Sequence, residues 1–224
     1  MRSFFVTGTD TGVGKTVVST ALTRALVARG LRVAVMKPIA SGSEPTAGGL
    51  RNSDALALMT AANVTAPYEV VNPYCFLPAV SPHIAAREAG VAIDLPLLRS
   101  RFDSLAAASD CVVVEGAGGW LAPISDSATM ADLAAALALP TILVVGLRLG
   151  CLNHALLTRE SLAARGVAFA GWLANAIDPH FDRAAENLAT LTARLGEPPL
   201  AQIPFLERGL GEPDLREAAG KLCA

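Results

Sequence analysis

A glycine-rich segment near the start of the chain contains the residue types that bind phosphate. It reads Gly8-Thr-Asp-Thr-Gly-Val-Gly-Lys15-Thr16 and lies between a predicted strand and a predicted helix. Backbone N–H groups in such a turn can donate to phosphate oxygens, and the helix dipole adds positive potential. Lys15 would reach the β- and γ-phosphates, and the Thr16 hydroxyl would bind Mg²⁺. Thr9 stands where the usual phosphate-loop pattern has glycine, but the context still predicts a nucleotide site rather than a plain turn with a surface lysine.

Three charged residues near the ends of other predicted elements could join this chemistry. Lys37 follows the second predicted strand, Glu115 follows the third, and Asp54 lies in the first turn of a predicted helix. An ammonium can stabilise a transferring phosphoryl group, and carboxylates suit Mg²⁺. Position alone leaves ordinary alternatives open: a solvated strand-end lysine, a solvated strand-end glutamate and a first-turn helix acid.

The elements that must position these residues alternate between strand and helix. Strands are predicted at residues 4–6, 31–36, 111–114, 141–145, 167–174 and 200–203, and helices at 14–29, 53–62, 129–139, 152–164 and 181–195. Continuous apolar strands alternating with helices indicate an α/β fold: a mostly parallel sheet with helices on both faces, in three layers. Residues 63–81 contain several prolines and are predicted as a long ordered loop. We expect one domain over residues 1–224.

Composition excludes several functional classes. The chain has 224 residues, 52% of them hydrophobic and 17% charged, which excludes a disordered protein. A net charge of −2 argues against a nucleic-acid binder. Four scattered cysteines without a CxxC pair argue against zinc and disulfides. The apolar stretch 133–147 is interrupted by Pro140 and is too short for a membrane span, and the first residues do not form a signal peptide. We therefore expect a cytoplasmic protein that does not bind membranes.

Several segments together resemble the dethiobiotin synthetase family. They are Phe5-Val-Thr-Gly-Thr-Asp-Thr-Gly-Val-Gly-Lys-Thr16, Lys37-Pro-Ile-Ala-Ser-Gly42, Leu50-Arg-Asn-Ser-Asp54, Val113-Val-Glu-Gly-Ala-Gly-Gly-Trp120, Ile142-Leu-Val-Val-Gly-Leu-Arg-Leu-Gly-Cys-Leu-Asn-His154 and Gly171-Trp-Leu-Ala-Asn175. They occur in the family's order from position 4 to about position 206. The resemblance implies a phosphate-loop NTPase fold and an ATP-dependent ligase that closes a ureido ring in biotin biosynthesis.

The resemblance also implies the reaction and its partners. The substrates would be 7,8-diaminononanoate, CO₂ (or bicarbonate) and ATP, with Mg²⁺ as cofactor. One amine would capture CO₂ as a carbamate, ATP would phosphorylate the carbamate to a mixed anhydride, and the second amine would close the ring. The products would be dethiobiotin, ADP and phosphate. The enzyme would be a homodimer with active sites at the subunit interface.

Site residues carry over from the family position by position. The resemblance implies catalytic roles for Lys37, Thr11 and Lys15, and Mg²⁺ contacts for Thr16, Asp54 and Glu115. The implied nucleotide-binding residues are Gly12, Val13, Gly14, Lys15, Thr16, Val17, Asp54, Glu115, Gly116, Ala117, Gly118, Asn175, Ala176, Pro204, Phe205 and Leu206, with Asn175 at the adenine edge. The implied substrate-binding residues are Ser41, Gly118, Gly150, Cys151, Leu152 and Asn153, the last four from the partner subunit and receiving the substrate carboxylate.

The sequence departs from the family at one position, and three other functions remain possible. Position 12 is glycine where some members have glutamate, so no role of that carboxylate carries over. A partitioning or assembly ATPase would have lysine where this chain has Asp10. An amidotransferase-type ligase acting on a corrinoid acid would need a further glutaminase domain. A nucleotide-binding regulator without turnover would not need Lys37, Asp54 and Glu115.

Overall fold

The computed structural model describes residues 3–206 and 213–223. In chain order the elements are β1 (Phe4–Gly8), α1 (Lys15–Ala28), β2 (Val33–Met36), β3 (Ile39–Ala40), β4 (Glu44–Thr46), β5 (Gly49–Arg51), α2 (Ser53–Ala61), α3 (Tyr68–Val71), β6 (Tyr74–Cys75), α4 (Pro82–Glu88), α5 (Leu95–Ala107), β7 (Cys111–Glu115), α6 (Met130–Leu137), β8 (Thr141–Leu147), α7 (Cys151–Ala164), β9 (Phe169–Ala176), α8 (Ala184–Leu195), β10 (Ala201–Ile203) and α9 (Arg216–Cys223).

The central sheet has six strands in the order β10-β9-β8-β1-β7-β2, and every neighbouring pair is parallel. Parallel pairing brings the carboxyl ends of the strands to one edge of the sheet. Because β1 lies between β7 and β8, the segment after β1 is flanked by the ends of both neighbours. This edge is where an open α/β sheet binds its ligands.

Alternation of side chains along the strands divides the core between the two faces. Phe4 and Val6 of β1 pack with α1, α2 and α9, whereas Phe5 between them packs with α4, α5 and α6 on the other face. On β8, Ile142 and Val144 join the first face, and the intervening Leu143 packs against α7 and α8. Successive side chains of a strand point to opposite faces, so continuous apolar strands require helices on both sides.

Local sequence explains where the helices near the site begin. The Asn52 side chain accepts hydrogen bonds from the N–H groups of Asp54 (3.1 Å) and Ala55 (3.3 Å), which caps α2. Thr129 and Asp132 form a reciprocal capping box at the start of α6. Such caps satisfy N–H groups that have no partner within the helix.

The predicted α/β class is confirmed, and each predicted strand and helix is present with ends that differ by a few residues. The prediction of a long loop at residues 63–81 is wrong, because α3 and β6 lie within it. The β4–β5 hairpin and helices α4 and α5 were not predicted. Two-residue strands such as β3 and β6 pair only with each other, and so short a run has no periodicity to read.

Among the described helices, none combines the length and the apolar character that crossing a lipid bilayer requires.

One glycine of β8 determines how closely the phosphate-binding segment approaches the sheet. A Cβ at Gly146 would lie 2.5 Å from Ile177 Cδ1 and 3.0 Å from Val13 Cγ1. The Ile177 methyl can rotate away, but Val13 is buried and β-branched, so it has to move with its backbone. We expect Gly146→Ala to lower the free energy of unfolding by about 1–3 kcal/mol and to weaken nucleotide binding.

Urea unfolding and calorimetric titration with ATP would measure the two effects. The matched control is Gly220→Ala in α9, where the added Cβ makes only an ordinary contact at 3.5 Å and higher helix propensity should stabilise by about 0.5–1 kcal/mol. Equal stability of Gly146→Ala and the wild type would contradict this account of the packing.

Candidate active site

A cavity of ≈ 530 Å³ opens at the carboxyl edge of the sheet, beside the segment that follows β1. Its lining residues are Thr11, Gly12, Gly14, Lys15, Thr16, Val17, Lys37, Ala40, Ser41, Asn52, Asp54, Glu115, Ala117 and Gly118. The structure thus brings together residues from four separate sequence segments. Ala40 and Asn52 were not among the predicted site residues. Asn52 was recognisable only as a helix cap.

The phosphate loop is held open by glycines with left-handed backbone conformations. Gly14 has φ of 91°, and a Cβ there would collide with the side-chain amide nitrogen of Asn175. That amide donates to the Val13 carbonyl at 2.8 Å and so fixes the loop to β9. Gly12 has φ of 76°, but a Cβ there would meet no atom within 4 Å. Glycine at position 12 therefore removes a charge and relieves backbone strain, and no steric limit demands it.

Lys15 is folded back over the loop that carries it. Its Nζ donates to the Asp10 carbonyl at 3.0 Å, and the side chain is buried. Burial, together with the nearby Lys37 ammonium, lowers the pKa of Lys15 to about 8. An anion bound in the loop would offset both effects, so the site is electrostatically prepared for phosphate.

Lys37 lies between two carboxylates that come from different elements. Its Nζ is 2.5 Å from Glu115 Oε1 at the end of β7 and 3.0 Å from Asp54 Oδ2 in α2. The Thr16 hydroxyl donates to the same Glu115 Oε1 at 2.9 Å. Burial acts to lower the pKa of Lys37, but the two carboxylates outweigh it and raise that pKa. Burial acts to raise the pKa of Asp54, but Lys37 holds it below its ordinary value.

Glu115 has one oxygen with no partner. The side chain is fully buried, and Oε2 makes no hydrogen bond. An unpartnered carboxylate oxygen in a buried site costs free energy unless a ligand supplies the partner. Hard oxygen donors are what Mg²⁺ prefers, and Thr16, Asp54 and Glu115 offer one hydroxyl and two carboxylates. Within residues 3–206 and 213–223, no group of three or more His, Cys, Asp and Glu could hold a metal. The remaining ligands would have to come from water and nucleotide.

The glycine-rich segment after β7 packs against the phosphate loop. The Gly116 N–H donates to the Val6 carbonyl at 3.0 Å, and Lys37 Nζ lies 3.4 Å from the Gly116 carbonyl. A Cβ at Gly119 would lie 3.4 Å from the Thr9 carbonyl. The close approach of the two loops places Ala117 and Gly118 on the cavity wall facing Thr11.

An ion pair that was not predicted from the sequence supports this loop. Asp10 Oδ1 accepts the Thr11 N–H at 2.7 Å, and Asp10 Oδ2 lies 2.5 Å from the Arg148 guanidinium. Arg148 follows β8, so the pair connects the phosphate loop to the segment that precedes α7. The sequence contains opposite charges after two strands, Asp10 after β1 and Arg148 after β8. Their contact could be inferred only once the pairing of β1 with β8 was known.

The residues predicted to bind the nucleotide base lie outside the cavity lining. Asn175 and Ala176 end β9, and β10 pairs alongside with Ile203 opposite Asn175. The three residues that follow β10 are Pro204, Phe205 and Leu206, and the Phe205 ring is 43% exposed. They form a neighbouring group on the far side of the phosphate loop, joined to it by the hydrogen bond from Asn175 to Val13. Val13 itself is buried under the loop.

The segment predicted to receive a substrate carboxylate begins α7 and does not line the cavity of its own chain. Gly150 caps the helix with φ of 95°, and Asn153 is exposed. Cys151 differs from its neighbours, because its side chain is buried against β8 and β9 and its N–H donates to the Arg148 carbonyl at 3.0 Å. Any contact of this segment with a ligand therefore has to come from Gly150, Leu152 and Asn153.

Comparison with solved structures shows the fold. MinD cell division protein from Aquifex aeolicus aligns with a TM-score of 0.61 at 14% identity, covering all of this chain and 96% of that protein. A ParA family ATPase from Chlorobium tepidum aligns with a TM-score of 0.56 at 12% identity, over 93% of this chain and 87% of that protein. At such identities the likeness establishes the phosphate-loop NTPase architecture and nothing about the reaction.

Sequence comparison goes further. A family model described as an AAA domain matches residues 2–212. ATP-dependent dethiobiotin synthetase BioD from Pseudomonas aeruginosa (strain UCBPP-PA14) is 52% identical over 208 residues, covering 92% of this chain and 91% of that protein. The protein of the same name from Xylella fastidiosa (strain 9a5c) is 49% identical over 94% of this chain and 93% of its own length. This chain belongs to the ATP-dependent dethiobiotin synthetases, ligases that form carbon–nitrogen bonds.

Proposed function

We propose that this chain closes the ureido ring of dethiobiotin at the cavity between the phosphate loop and Lys37. One observation carries the assignment: a buried ammonium lies between two carboxylates, directly opposite a loop shaped to bind phosphates. A transferring phosphoryl group and a carbamate are both anionic, and an ammonium held in this way can stabilise both. The names of the related proteins support the choice of ring closure over simple ATP hydrolysis.

The proposed reaction has three steps. One amine of 7,8-diaminononanoate attacks CO₂, and loss of its proton gives a carbamate. A carbamate oxygen attacks the γ-phosphorus of ATP, ADP leaves, and a carbamic–phosphoric anhydride forms. The second amine then attacks the carbonyl carbon, and the C–O bond to the phosphate breaks. The net products are dethiobiotin, ADP, phosphate and protons released to the solvent.

Three residues act on the reacting groups. Lys37 stabilises the carbamate and the charge that develops on the phosphoryl group, and its raised pKa keeps it cationic. Lys15 bonds the β- and γ-phosphates once it leaves the Asp10 carbonyl. The Thr11 hydroxyl, exposed at the cavity wall, donates to the reacting oxygens. Ser41 and the N–H groups of Ala117 and Gly118 contact the diamine and the carbamate, whereas the Gly116 N–H is already bonded to the Val6 carbonyl.

Mg²⁺ completes the site as a cofactor. Thr16, Asp54 and Glu115 would hold it directly or through water, and the unpartnered Glu115 Oε2 is the strongest observation in favour. When bound, the ion neutralises charge on the β- and γ-phosphates. Without the ion, the carboxylates of Glu115 and Asp54 already hold the Lys37 ammonium. Glu115 Oε1 also accepts a hydrogen bond from the Thr16 hydroxyl.

The nucleotide base is assigned to the group beyond the phosphate loop. One N–H of the Asn175 amide is used by Val13, and the amide's second N–H and its oxygen suit the edge of adenine. Ala176 and the turn formed by Pro204, Phe205 and Leu206 would flank the base. The ATP phosphates would lie along residues 12–17.

The working form is proposed to be a homodimer. Three leucines around the start of α7 are exposed: Leu149 by 91%, Leu157 by 56% and Leu121 by 51%. Leu121 and Leu157 also line a shallow pocket of ≈ 370 Å³ with Trp120 and His154. A second copy covering these leucines would bring its own Gly150–Asn153 segment toward the cavity, where a helix N-terminus suits the carboxylate of the diamine.

The test of the function is coupled product formation. Purified protein is incubated with ATP, Mg²⁺ and bicarbonate, with and without 7,8-diaminononanoate, while ADP and dethiobiotin are quantified in the same tubes. We expect both products together, only with the diamine, and neither after chelation of Mg²⁺. ADP without diamine and without ring product would instead support a switch ATPase, and ATP binding without turnover would support a regulator.

Replacing Lys37 separates its electrostatic role from folding. Lys37→Met leaves a fully buried Glu115 without its cation, which we expect to cost about 3 kcal/mol of unfolding free energy without Mg²⁺. Turnover should fall about 100-fold or more, while ATP affinity changes little, because the phosphate loop is intact. Added Mg²⁺ should restore part of the lost thermal stability.

Lys221→Met is the matched control, since it removes another of the chain's three lysines from an exposed pair with Glu217 on α9. It should change neither stability nor turnover measurably. Near-normal ring closure by Lys37→Met would refute the role given to Lys37.

The dimer is tested at the exposed leucines. Leu157→Asp should convert a dimer to a monomer in size-exclusion chromatography with light scattering, and ring closure should fall while ATP binding persists. Val91→Asp, which changes a 40%-exposed valine outside this group of leucines, is the control and should remain dimeric and active. A monomeric wild type, or a fully active monomeric variant, would contradict the shared site.

A further inference from the structure

We propose that Tyr68 is a positioning residue for the reaction. Its hydroxyl, together with Asn72 and Asn52, forms a hydrogen-bond network that sets the placement of Lys37 relative to Asp54. We refer to these three residues as the Tyr68 network. The inference rests on the proposed function for the roles of Lys37 and Asp54. It adds Tyr68 and Asn72, which do not line the cavity, and gives Asn52, which does, a positioning role.

The Tyr68 hydroxyl joins two segments that are distant in sequence. It accepts the backbone N–H of Asn52 at 2.7 Å and donates to Asn72 Oδ1 at 2.9 Å. The Arg51 guanidinium lies over the ring, 4.1 Å from its centre. Burial, with the neighbouring Cys75, raises the pKa of Tyr68 to about 12, so the hydroxyl keeps its proton at any working pH.

Asn72 transmits this contact to Lys37. It is buried, and its Nδ2 donates to the Lys37 carbonyl at 2.6 Å and to the Tyr74 carbonyl at 3.2 Å. The Lys37 N–H in turn donates to the Val71 carbonyl at 2.8 Å. Both backbone polar groups of Lys37 are therefore bonded to the region of α3 rather than to a neighbouring strand of the sheet.

Asn52 transmits the same contact to the other side of the cavity. Its Oδ1 caps α2 by accepting the N–H of Asp54, and its Nδ2 donates to the Ser41 carbonyl at 3.5 Å. One phenol thus connects the backbone of Lys37 with the helix start that carries Asp54. The ion pair between these two residues, at 3.0 Å, is held from the backbone at both ends.

The network's geometry predicts a defined loss when the hydroxyl is removed. Tyr68→Phe keeps the ring and the Arg51 contact but leaves the Asn52 N–H and Asn72 Oδ1 without their partner. Lys37 and Asp54 can then shift relative to each other. None of the hydrogen bonds described for Tyr68 reaches the phosphate loop, so the loop should keep its position. The effect should therefore fall on kcat and on the Mg²⁺ requirement, and spare ATP binding.

The chain supplies a matched control, because it contains only two tyrosines. The hydroxyl of the second, Tyr74, also accepts a backbone N–H, that of Asp94 at 2.9 Å, and neither residue lines the cavity. Tyr74→Phe removes a comparable hydrogen bond from the same region. A purely structural role of Tyr68 would make the two variants alike.

The experiment compares Tyr68→Phe, Tyr74→Phe and wild type for thermal stability, kcat, KM for ATP and half-saturating Mg²⁺. We expect similar small losses of thermal stability in both variants. In Tyr68→Phe alone, kcat should fall about tenfold and half-saturating Mg²⁺ should rise several-fold, with KM for ATP within about twofold. Asn72→Ala should show the same kinetic pattern and serves as a second variant.

Failure of this inference can be told apart from failure of the proposed function. If Tyr68→Phe loses no more kcat than Tyr74→Phe and needs no more Mg²⁺, the positioning role is refuted. If the wild type makes no dethiobiotin, the proposed function fails. Calorimetric titration with a non-hydrolysable ATP analogue at several Mg²⁺ concentrations then still tests the network: a higher half-saturating Mg²⁺ concentration in Tyr68→Phe alone supports it, and identical curves overturn it.

Discussion

The ammonium of Lys37 between Glu115 and Asp54 constrains the arrangement of everything around it. A buried charge is tolerated only when partners and hydrogen bonds offset its desolvation, and removal of either partner leaves the other exposed to that cost. Lys37 lies just beyond β2, Glu115 ends β7 and Asp54 opens α2. Parallel pairing of β2 with β7 brings the first two together, and the Asn52 cap directs the third toward them.

The phosphate loop is built by the opposite means, since it depends on the absence of side chains. Gly14 leaves room for the Asn175 amide, and Gly146 leaves room for Val13 beneath the loop. The loop can therefore lie close to the sheet. Lys15 has a lowered pKa and Lys37 a raised one, although both are buried, because only Lys37 has carboxylates within bonding distance. Lys15 is prepared for an incoming anion, and Lys37 is held in its cationic form by its two carboxylates.

Sequence predicted the six strands of a mostly parallel sheet, five of the helices and most of the cavity lining, because strand–turn–helix segments carry local signals. It did not predict the Tyr68 network. Helix α3 has four residues, and β3 and β6 have two each, so their conformations are determined by tertiary pairing. The prolines that suggested a loop at 63–81 instead flank these short elements. The Asp10–Arg148 pair was hidden for a similar reason, as it joins residues 138 positions apart.

The negative charge of Asp10 distinguishes this chain from ATPases that have the same fold and a lysine at this position. MinD cell division protein has the same fold at 14% identity, so the fold alone does not identify the reaction. A partitioning or assembly ATPase would have a lysine at the position of Asp10. Here Asp10 is bonded within its own chain, to Arg148 and to the Thr11 N–H. The loop is therefore supported by the segment leading into α7, and Lys37 lines the cavity beside it from the same chain. In the proposed reaction, Lys37 is therefore the cation that meets the carbamate while it is phosphorylated.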